Sequence, residues 1–361
     1  MKKLQYTLLT AAAALILTSC DKVSPIGVFV SGTGVEDRVK MSNQYYALHK
    51  SDFKWHDVVN QNEYTFLVGA DSHLTTDDGR LREMLQMGLD NNDLLYAHLG
   101  DIADTKAEYY ITLENLIDEY RWKYAKKHYQ EVFMGDLSEA TNDATKQEML
   151  EDPSYYLYID SINDKMYGVD DIPLPFYPVV GNHDITHNGW ALWSNIFHSS
   201  FYDVFVSVSE DPDPILFDHF IFLDSASGTL GEEQVKLIEE GVLDGKELAK
   251  MIGQEGSIFR HTFVFSHTNI FRPRTVEFAS TFPREEMFFL LNKFDEWDAN
   301  IVFLGHVHMW DYQRNGKTEY MTLDSMCEAN NPNPGDYLVR VHVKKDGTIS
   351  WERVRMNYTK K

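Results

Sequence analysis

The sequence predicts a layered α/β domain, in the sense of an α+β arrangement of sheets and helices. Short, continuous apolar runs suit strands that are buried on both faces. They occupy residues 64–69, 94–99, 177–180, 220–223, 262–265 and 301–304. Helical patterns lie between several of these runs, and one of them places Leu113, Leu116, Ile117, Tyr120 and Tyr124 at i, i+3 and i+4 spacing. Strands that alternate with helices indicate layers of sheet and helix around a shared core.

The first 19 residues are predicted to be a targeting segment. Lys2 and Lys3 precede an apolar stretch at 8–17 that is too short to cross a bilayer as a helix but has the length of a signal-peptide core. The stretch ends in Leu17-Thr18-Ser19-Cys20, which resembles the bacterial lipobox. The prediction is a lipoprotein signal peptide at 1–19, with Cys20 lipidated (palmitate) and the chain anchored to a membrane of the bacterial cell envelope, at the periplasmic face or the cell surface. The alternative is an ordinary secretory signal.

Charge and length limit the classes of partner. The chain has 361 residues and a formal net charge of -23, so its surface repels the polyphosphate backbone of nucleic acid polymers. A small phosphoester substrate remains compatible with this charge, because bound metal cations reverse the local field. Residues 20–60 are predicted as an N-terminal tether and lead-in, and 61–361 as the main folded domain. The sequence leaves the oligomeric state open.

Two segments are predicted additions to the core. Residues 105–175 separate two polar motifs and contain the amphipathic pattern and a Tyr-rich acidic stretch. They are predicted to form an insertion or cap, with a plain surface elaboration as the alternative. At the C-terminus, alternating runs at 337–343 and 348–354 flank Asp346-Gly347, which predicts a β-hairpin.

Polar side chains follow five of the apolar runs. Asp71, Asp101, Asn182, His267 and His306 each come directly after a predicted strand. Ligands of layered α/β folds bind at the carboxyl ends of strands, so these five positions predict one shared site. Carboxylates together with imidazoles suit Fe, Mn or Zn better than Ca or Mg.

The ordered motifs carry a resemblance. They are Asp71-Ser72-His73, Gly100-Asp101-Ile102-Ala103-Asp104, Gly181-Asn182-His183-Asp184, Ser266-His267 and Gly305-His306-Val307-His308. Together the motifs resemble those of the calcineurin-like metallophosphoesterase superfamily, over residues 64–308. The resemblance implies a four-layer αββα sandwich with two central mixed β-sheets flanked by helices. It also implies phosphoester hydrolysis by a bridging hydroxide at a centre of two divalent or trivalent metal ions (Mn, Fe or Zn).

Roles follow from the resemblance at the matched positions. Asp71, His73 and His308 would hold one metal ion; Asn182, His267 and His306 would hold the other; Asp101 would bridge both. His183 would protonate the leaving oxygen, and Asp104 would orient His183.

The chain departs from the family pattern after Asp104, where Thr105 stands in place of the arginine that many members have. Arg272 or Arg274 is then a candidate for phosphate binding, with a solvated loop arginine as the alternative. Asp104 occupies the place where purple acid phosphatases have a metal-binding tyrosine, which disfavours that subfamily.

Further residues near the motifs have ordinary structural interpretations. His98, His187, His198 and His219 are predicted to be structural, with contact to substrate as the alternative for His187. The aromatic residues Trp190, Trp193 and Phe197 are predicted to be core, with a pocket lining as the alternative.

The predicted function is therefore metal-dependent phosphoester hydrolysis at the cell envelope. Alternatives are a phosphodiesterase specialised for cyclic nucleotides or phospholipid head groups, and a catalytically inactive binding lipoprotein.

Overall fold

The structure is a computed structural model that describes residues 34–48, 55–59, 61–139, 174–209, 216–245, 256–271, 282–327 and 337–357. The predictions for the signal peptide, Cys20, Arg272 and Arg274 lie outside these residues. Contacts within the chain divide it into two compact units, one formed by residues 1–110 and 177–361 and the other by residues 111–176.

The strands within the described residues are β1 (Trp55–Asp57), β2 (Glu63–Gly69), β3 (Leu95–His98), β4 (Phe176–Pro178), β5 (Tyr202–Ser207), β6 (Leu216–Phe222), β7 (Ile258–Ser266), β8 (Ala299–Leu304), β9 (Asp311–Asn315), β10 (Thr318–Thr322), β11 (Tyr337–Lys344) and β12 (Ile349–Arg355). The α-helices there are α1 (Val35–Leu48), α2 (Gly79–Asn91), α3 (Ala107–Glu139), α4 (Asn182–Ile185), α5 (Gly189–Phe197), α6 (Gly231–Glu239) and α7 (Arg284–Glu296). A 3-10 turn at Thr186–Asn188 joins α4 to α5.

The strands form two mixed sheets. The larger sheet has the order β1-β5-β6-β7-β8-β10-β9, and its central strands β6, β7, β8 and β10 are parallel. The smaller sheet has the order β12-β11-β2-β3-β4, in which β2 and β3 are parallel and β11 runs antiparallel to β2. Each of the six apolar runs of the sequence overlaps a strand of these sheets.

The predicted C-terminal hairpin is present as β11 and β12. At its turn Gly347 has a φ of 87°, a left-handed conformation that glycine adopts without steric cost. The Thr348 amide donates a hydrogen bond to the Asp346 carboxylate, which closes the turn locally.

Apolar side chains from both sheets meet in one core. Phe66 of β2 packs edge-on against Phe220 of β6 and Phe263 of β7, with ring centroids 5.1 and 5.0 Å apart. Val68 and Phe265 lie in the same fully buried cluster. The two sheets are therefore stacked face to face, and the aromatic rings fill the space between them.

Helices cover the outer face of each sheet. On the larger sheet, Leu237 of α6 and Leu290 and Phe294 of α7 pack with Val264 and Val302. On the smaller sheet, α2 lies against β2 and β3: Met84 reaches Gly69, and the ring of Tyr96 occupies the space beside Gly88. The order helix, sheet, sheet, helix confirms the predicted αββα sandwich.

The predicted lead-in at 20–60 contains a packed helix. Val35 and Val39 of α1 join the cluster on the outer face of the larger sheet. Arg38 is fully buried and makes a two-pronged ion pair with Asp224, with both N···O distances 2.8 Å. At the start of α1, the Glu36 carboxylate accepts the first free amides of α6, which stabilises that helix end.

The unit at 111–176 is described here by the part of α3 that lies within it. Leu113, Leu116, Ile117 and Tyr120 are buried, as the amphipathic pattern predicts, and Tyr124 is half-buried. Lys123 pairs with Glu119 at 2.8 Å, on the more exposed side of the helix. The role of this region as a cap stays a prediction.

Candidate metal centre

The seven residues predicted to be metal ligands come together at the carboxyl ends of the strands. Asp71 follows β2, Asp101 follows β3, and His267 follows β7 directly. Six of them fall into two groups whose side-chain donor atoms lie within 4.8 Å of one another. Asn182, at the start of α4, contacts the second group through its side-chain oxygen.

The first group consists of Asp71, His73, Asp101 and His308. The Nε2 atoms of His73 and His308 are 3.3 Å apart, and His308 Nε2 lies 3.4 Å from Asp71 Oδ1. His73 Nε2 also faces Asp101 Oδ2 at 3.8 Å. Four donor atoms from three different segments, those that follow β2, β3 and β8, therefore point at one volume.

The second group consists of Asp101, His267 and His306, together with Asn182. His267 Nε2 lies 3.2 Å from His306 Nδ1 and 2.9 Å from Asn182 Oδ1. The same Nε2 atom is 3.5 Å from Asp101 Oδ2. His306 thus presents Nδ1 to this group, whereas His73, His267 and His308 present Nε2 to their groups.

Asp101 belongs to both groups through one oxygen. Its Oδ2 faces His73 on one side and His267 on the other. Its Oδ1 accepts a hydrogen bond of 2.7 Å from the backbone amide of His183, which fixes the carboxylate orientation. One atom of Asp101 is therefore placed to join two ligand sets.

In His267 and His73, the hydrogen bond made by the ring nitrogen that faces away from the ligand group determines the tautomer. His267 Nδ1 lies 2.7 Å from the carbonyl oxygen of Leu99, an acceptor only, so Nδ1 carries the proton and Nε2 keeps a lone pair. His73 Nδ1 lies 3.2 Å from Asp104 Oδ1, with the same consequence. Burial lowers the pKa of His306 to about 4, which keeps that ring neutral and able to bind a cation.

The donor set fits metal ions. Imidazole nitrogens or carboxylate oxygens that bind one ion at about 2.0–2.2 Å stand roughly 3–3.5 Å from one another, because they occupy the corners of a tetrahedron or octahedron. The separations of 3.3 Å in the first group and 3.2 and 2.9 Å in the second fall at these values. Nitrogen and carboxylate donors together suit Zn, Fe or Mn.

Five of the seven residues have a backbone conformation that side chains rarely adopt. Positive φ values occur at Asp71 (52°), His73 (41°), Asp101 (51°), His306 (70°) and His308 (59°). Each such position costs free energy, and it persists only where surrounding contacts fix it. Asp71 shows how: its amide donates to Gly100 O, its carbonyl accepts from Ser325 Oγ, and its carboxylate accepts from the His306 amide.

Asp104 lies beside the ligand cluster and contacts two histidines. Its Oδ1 is 3.3 Å from His183 Nδ1 and 3.2 Å from His73 Nδ1. Burial raises the pKa of the Asp104 carboxyl, but the hydrogen bonds from His183 and His73 outweigh burial and hold the net pKa below its usual value. Asp104 therefore contacts His183, the residue that it is predicted to orient, and also contacts His73.

Two neighbours of Asp104 fix the loops around the site. Asp184 is fully buried; its Oδ1 accepts from the amides of Ile102 and Ala103, and its Oδ2 accepts from the amide of Gly181. Thr105 donates its hydroxyl to the carbonyl of His183. Thr105 therefore secures the turn that carries His183.

Two serines that the sequence did not predict form hydrogen bonds with the backbone of candidate ligand residues. Ser225 Oγ accepts hydrogen bonds from the amides of His267 and Thr268 at 3.0 and 2.9 Å. Ser325 Oγ donates to the Asp71 carbonyl at 2.8 Å. The position of Ser225, two residues after the apolar run at 220–223, is a weak sequence signal, whereas nothing in the local sequence marks Ser325.

The remaining predicted candidates lie outside both ligand groups. His187 is exposed, in a left-handed conformation with φ of 50°. Trp190 and Trp193 are buried, with stacked rings 5.4 Å apart. His98 is fully buried at the end of β3, and burial lowers its pKa to about 3. His219 is buried and pairs with Asp203 at 2.9 Å, while His198 is exposed beyond α5.

Comparisons with known proteins found similarity to solved structures and to nothing else. No protein-family model matches the chain, and no curated protein matches it. GAP50, the anchor in the inner membrane complex of Plasmodium, is 13% identical over 83% of this chain and 91% of its own, with a TM-score of 0.46. A dimetal phosphatase from Danio rerio is 11% identical over 81% and 98%, with a TM-score of 0.41. YfcE, a phosphoesterase from E. coli, is 12% identical over 81% and 100%, with a TM-score of 0.31. Because these sequence identities and TM-scores are low, we infer the chemistry of the site from its own residues alone.

Proposed function

We propose that this chain is a phosphoester hydrolase of the metallophosphoesterase type, with two metal ions held by the candidate metal centre. One observation carries the proposal: two complete ligand groups share a single oxygen, Oδ2 of Asp101. A shared carboxylate oxygen holds two cations at the short separation that two-metal hydrolysis requires, about 3.5–4 Å. The ordered sequence motifs support the same function.

The first group would bind one ion through Asp71, His73 and His308, and the second would bind another through Asn182, His267 and His306. Bound there, Zn, Fe or Mn ions would polarise the phosphoryl oxygens and supply a hydroxide nucleophile at neutral pH. The protein contributes the fixed positions of the ligands, because the backbone contacts of Asp71 and Asp101 leave their carboxylates no other orientation.

His183 is placed to handle the proton of the leaving group. Its side chain is 13% exposed, so one edge of the ring reaches the open side of the site. Its Nδ1 faces the Asp104 carboxylate, which leaves Nε2 as the atom that would donate a proton to the leaving oxygen. Asp104 favours the protonated ring through its negative charge, which suits an acid catalyst.

The test combines metal content with turnover. Purified protein reconstituted separately with Mn, Fe and Zn is expected to hold two ions per chain and to hydrolyse mono- or bis-(p-nitrophenyl) phosphate. The Asp101→Ala variant should lose both ions and the activity, whereas His183→Asn should keep both ions and lose turnover by about 10²–10⁴-fold. His342→Asn, a change to a histidine of β11 outside both ligand groups, is the matched control.

Undiminished hydrolysis by Asp101→Ala and His183→Asn would refute this mechanism. Two bound ions without turnover on any phosphoester would instead indicate the binding lipoprotein. The ratio of the rates on the mono- and diester substrates distinguishes a monoesterase from a phosphodiesterase.

The cellular location is a separate part of the proposal and depends on the lipobox at Cys20. Among the helices that the structure describes, none is long and apolar enough to cross a membrane. Metabolic labelling with a palmitate analogue tests the anchor: label on the wild-type chain that disappears in Cys20→Ser supports it. Equal release of both proteins into the soluble fraction would contradict it.

A further inference from the structure

Five side chains beside the candidate metal centre form a continuous series of cation–π and tilted ring–ring contacts, with interplanar angles of 50° and 41° for the two ring pairs. We name it the aromatic ladder, and its members in order are Tyr337, Arg353, Trp310, Trp351 and Tyr312. The Arg353 guanidinium lies 4.2 Å from the ring centre of Tyr337 and 4.5 Å from that of Trp310. The rings of Trp310 and Trp351 are 5.9 Å apart, and those of Trp351 and Tyr312 are 5.5 Å apart.

The aromatic ladder is linked to the candidate metal ligands by a short stretch of chain, a hydrogen bond and an ion pair. Trp310 is two residues beyond His308, so their Cα atoms lie within about 7 Å. The Trp310 amide donates a hydrogen bond of 2.8 Å to Asp324, and Arg353 makes an ion pair with the same carboxylate. The next residue, Ser325, holds the backbone of Asp71. One short segment therefore supports both a metal ligand and the ladder.

Strand register places the ladder at the same end of the sheets as the ligands. Arg353 of β12 pairs with Val339 of β11, which pairs with Val68 of β2, three residues before Asp71. Strands are about 4.8 Å apart, so Arg353 lies roughly 10 Å to the side of β2. Arg353 is also set back by about 10 Å along the strand, because Val68 lies three residues before Asp71, so Trp310 is the ladder member closest to a ligand along the chain.

The ladder remains open to solvent. Tyr312 is 40% exposed, the Arg353 side chain is 30% exposed, and the other three members are half-buried. Trp351 is held from its edge by Glu319, which accepts its indole N–H at 3.0 Å. Trp310 and Trp351 also pack against the core cluster between the sheets, whereas Tyr312 keeps much of its ring in water.

We propose that the aromatic ladder binds a planar aromatic ring in the leaving group of the substrate, so that the preferred substrates are phosphoesters bearing a nucleobase or an aryl ring. This proposal rests on the proposed hydrolase function and names its substrate class. Solvent-exposed aromatic rings attract another planar ring through dispersion and apolar burial, whatever its hydrogen-bonding pattern. The Arg353 guanidinium lies between Trp310 and Tyr337 and restricts the motion of both rings, so the binding of a planar ring costs little conformational entropy.

Matched substrates isolate the contribution of the ring. Adenosine 5′-monophosphate and ribose 5-phosphate carry the same phosphoester, but only the former has a base. Tyr312→Ala should lower kcat/KM for adenosine monophosphate about tenfold, chiefly through KM, and should change that for ribose 5-phosphate less than twofold. Phe288→Ala, which removes an aromatic ring 56% exposed on α7, is the control and should change neither. A parallel fall on both substrates, or no fall on either, would overturn the proposal.

A binding measurement separates this proposal from the hydrolase function. Adenosine, which has no phosphate, should quench the tryptophan fluorescence of the metal-free protein, and Trp351→Leu and Tyr312→Ala should weaken this quenching about fivefold or more, with the far-UV circular dichroism unchanged. If no substrate is turned over but adenosine binds in this way, the hydrolase function fails and the ring site stands. Absence of quenching in the wild-type protein, or quenching untouched by both variants, refutes the ring site whatever the activity.

Discussion

Asp104→Asn tests whether one carboxylate serves a metal ligand and the proton donor together. The change removes the negative charge and keeps the side-chain volume. In the wild-type protein Asp104 Oδ1 lies 3.2 Å from His73 Nδ1 and 3.3 Å from His183 Nδ1. The hydrogen bonds hold the pKa of this carboxyl below its usual value against the effect of burial, so it is ionised under any ordinary assay condition. The Asp104→Asn substitution therefore removes one negative charge from the site, and both metal affinity and turnover should fall.

The structure sets the size and the selectivity of the effect. Loss of an outer carboxylate that orients a metal-binding histidine costs about 10–100-fold in metal affinity, or about 1.4–2.8 kcal/mol. The Asp104 side chain is 22% exposed, and solvent screening therefore places the loss near tenfold. The second group should be unaffected, because the ring of His267 is oriented by the Leu99 carbonyl.

The assay is a metal titration of the stripped protein, by calorimetry or by competition with a chelator of known affinity. The wild-type protein should show two binding events, and Asp104→Asn should weaken one of them about tenfold and leave the other within twofold. His183→Asn is the matched comparison, because His183 contacts Asp104 without belonging to either predicted metal-ligand set. It should leave both binding events unchanged and lower kcat at saturating metal. Two unchanged binding events in Asp104→Asn would refute the link to His73.

Three further predictions concern stability. Arg38→Met should lower the free energy of unfolding by about 3–5 kcal/mol in urea denaturation, because it leaves the charge of Asp224 buried and unpaired; a loss below 1 kcal/mol would contradict this. Ser225→Ala should cost about 1–3 kcal/mol and weaken one metal-binding event, because the amide of His267 loses its acceptor; unchanged metal titration would contradict the supporting role. Burial lowers the pKa of His56 from 6.5 to about 4, so the unfolded chain binds more protons between these values and stability falls as the pH falls through this window. The loss due to this residue is at most about 3 kcal/mol, and His56→Gln should remove it; parallel stability curves for the two proteins from pH 7 to 4 would contradict this.

The sequence was sufficient for the strands whose pattern is strong. The run at 64–69 became β2, the run at 301–304 became part of β8, and the Asp346-Gly347 turn joins β11 to β12. A fully buried strand needs an unbroken apolar run, which is visible without knowledge of its neighbours. The strand β9 was not predicted, because its residues are mostly exposed and its place is set by pairing with β10.

The ligand residues were predictable because their donor atoms must be a carboxylate, an amide or an imidazole. The supporting contacts were not, because they use groups that every sequence has in abundance. The Leu99 carbonyl orients His267, and the hydroxyls of Ser225 and Ser325 fix His267 and Asp71 from distant segments. A backbone oxygen has no side-chain signature, and a serine acquires such a role only when the fold brings it near. The buried pair of Arg38 and Asp224 was missed for the same reason.

Five of the candidate ligand residues have a left-handed backbone conformation, and this conformation restricts which residue types can stand there. Asp, Asn and His tolerate positive φ better than most side chains, so donor chemistry and conformation favour the same residues at these positions. Each strained position costs about 1–3 kcal/mol, and five of them together would approach the whole stability of a domain if nothing offset them. The amide and hydroxyl contacts to Asp71, and the amide contact to Asp101, supply part of that offset without any cation. Ions that bind the two groups would supply the rest by attracting the carboxylates inward, and the protein loaded with metal should therefore unfold at a distinctly higher temperature than the stripped protein. An identical melting temperature with and without saturating Mn or Zn would show that the strain is balanced by the protein alone and that the ligand cluster does not bind these ions.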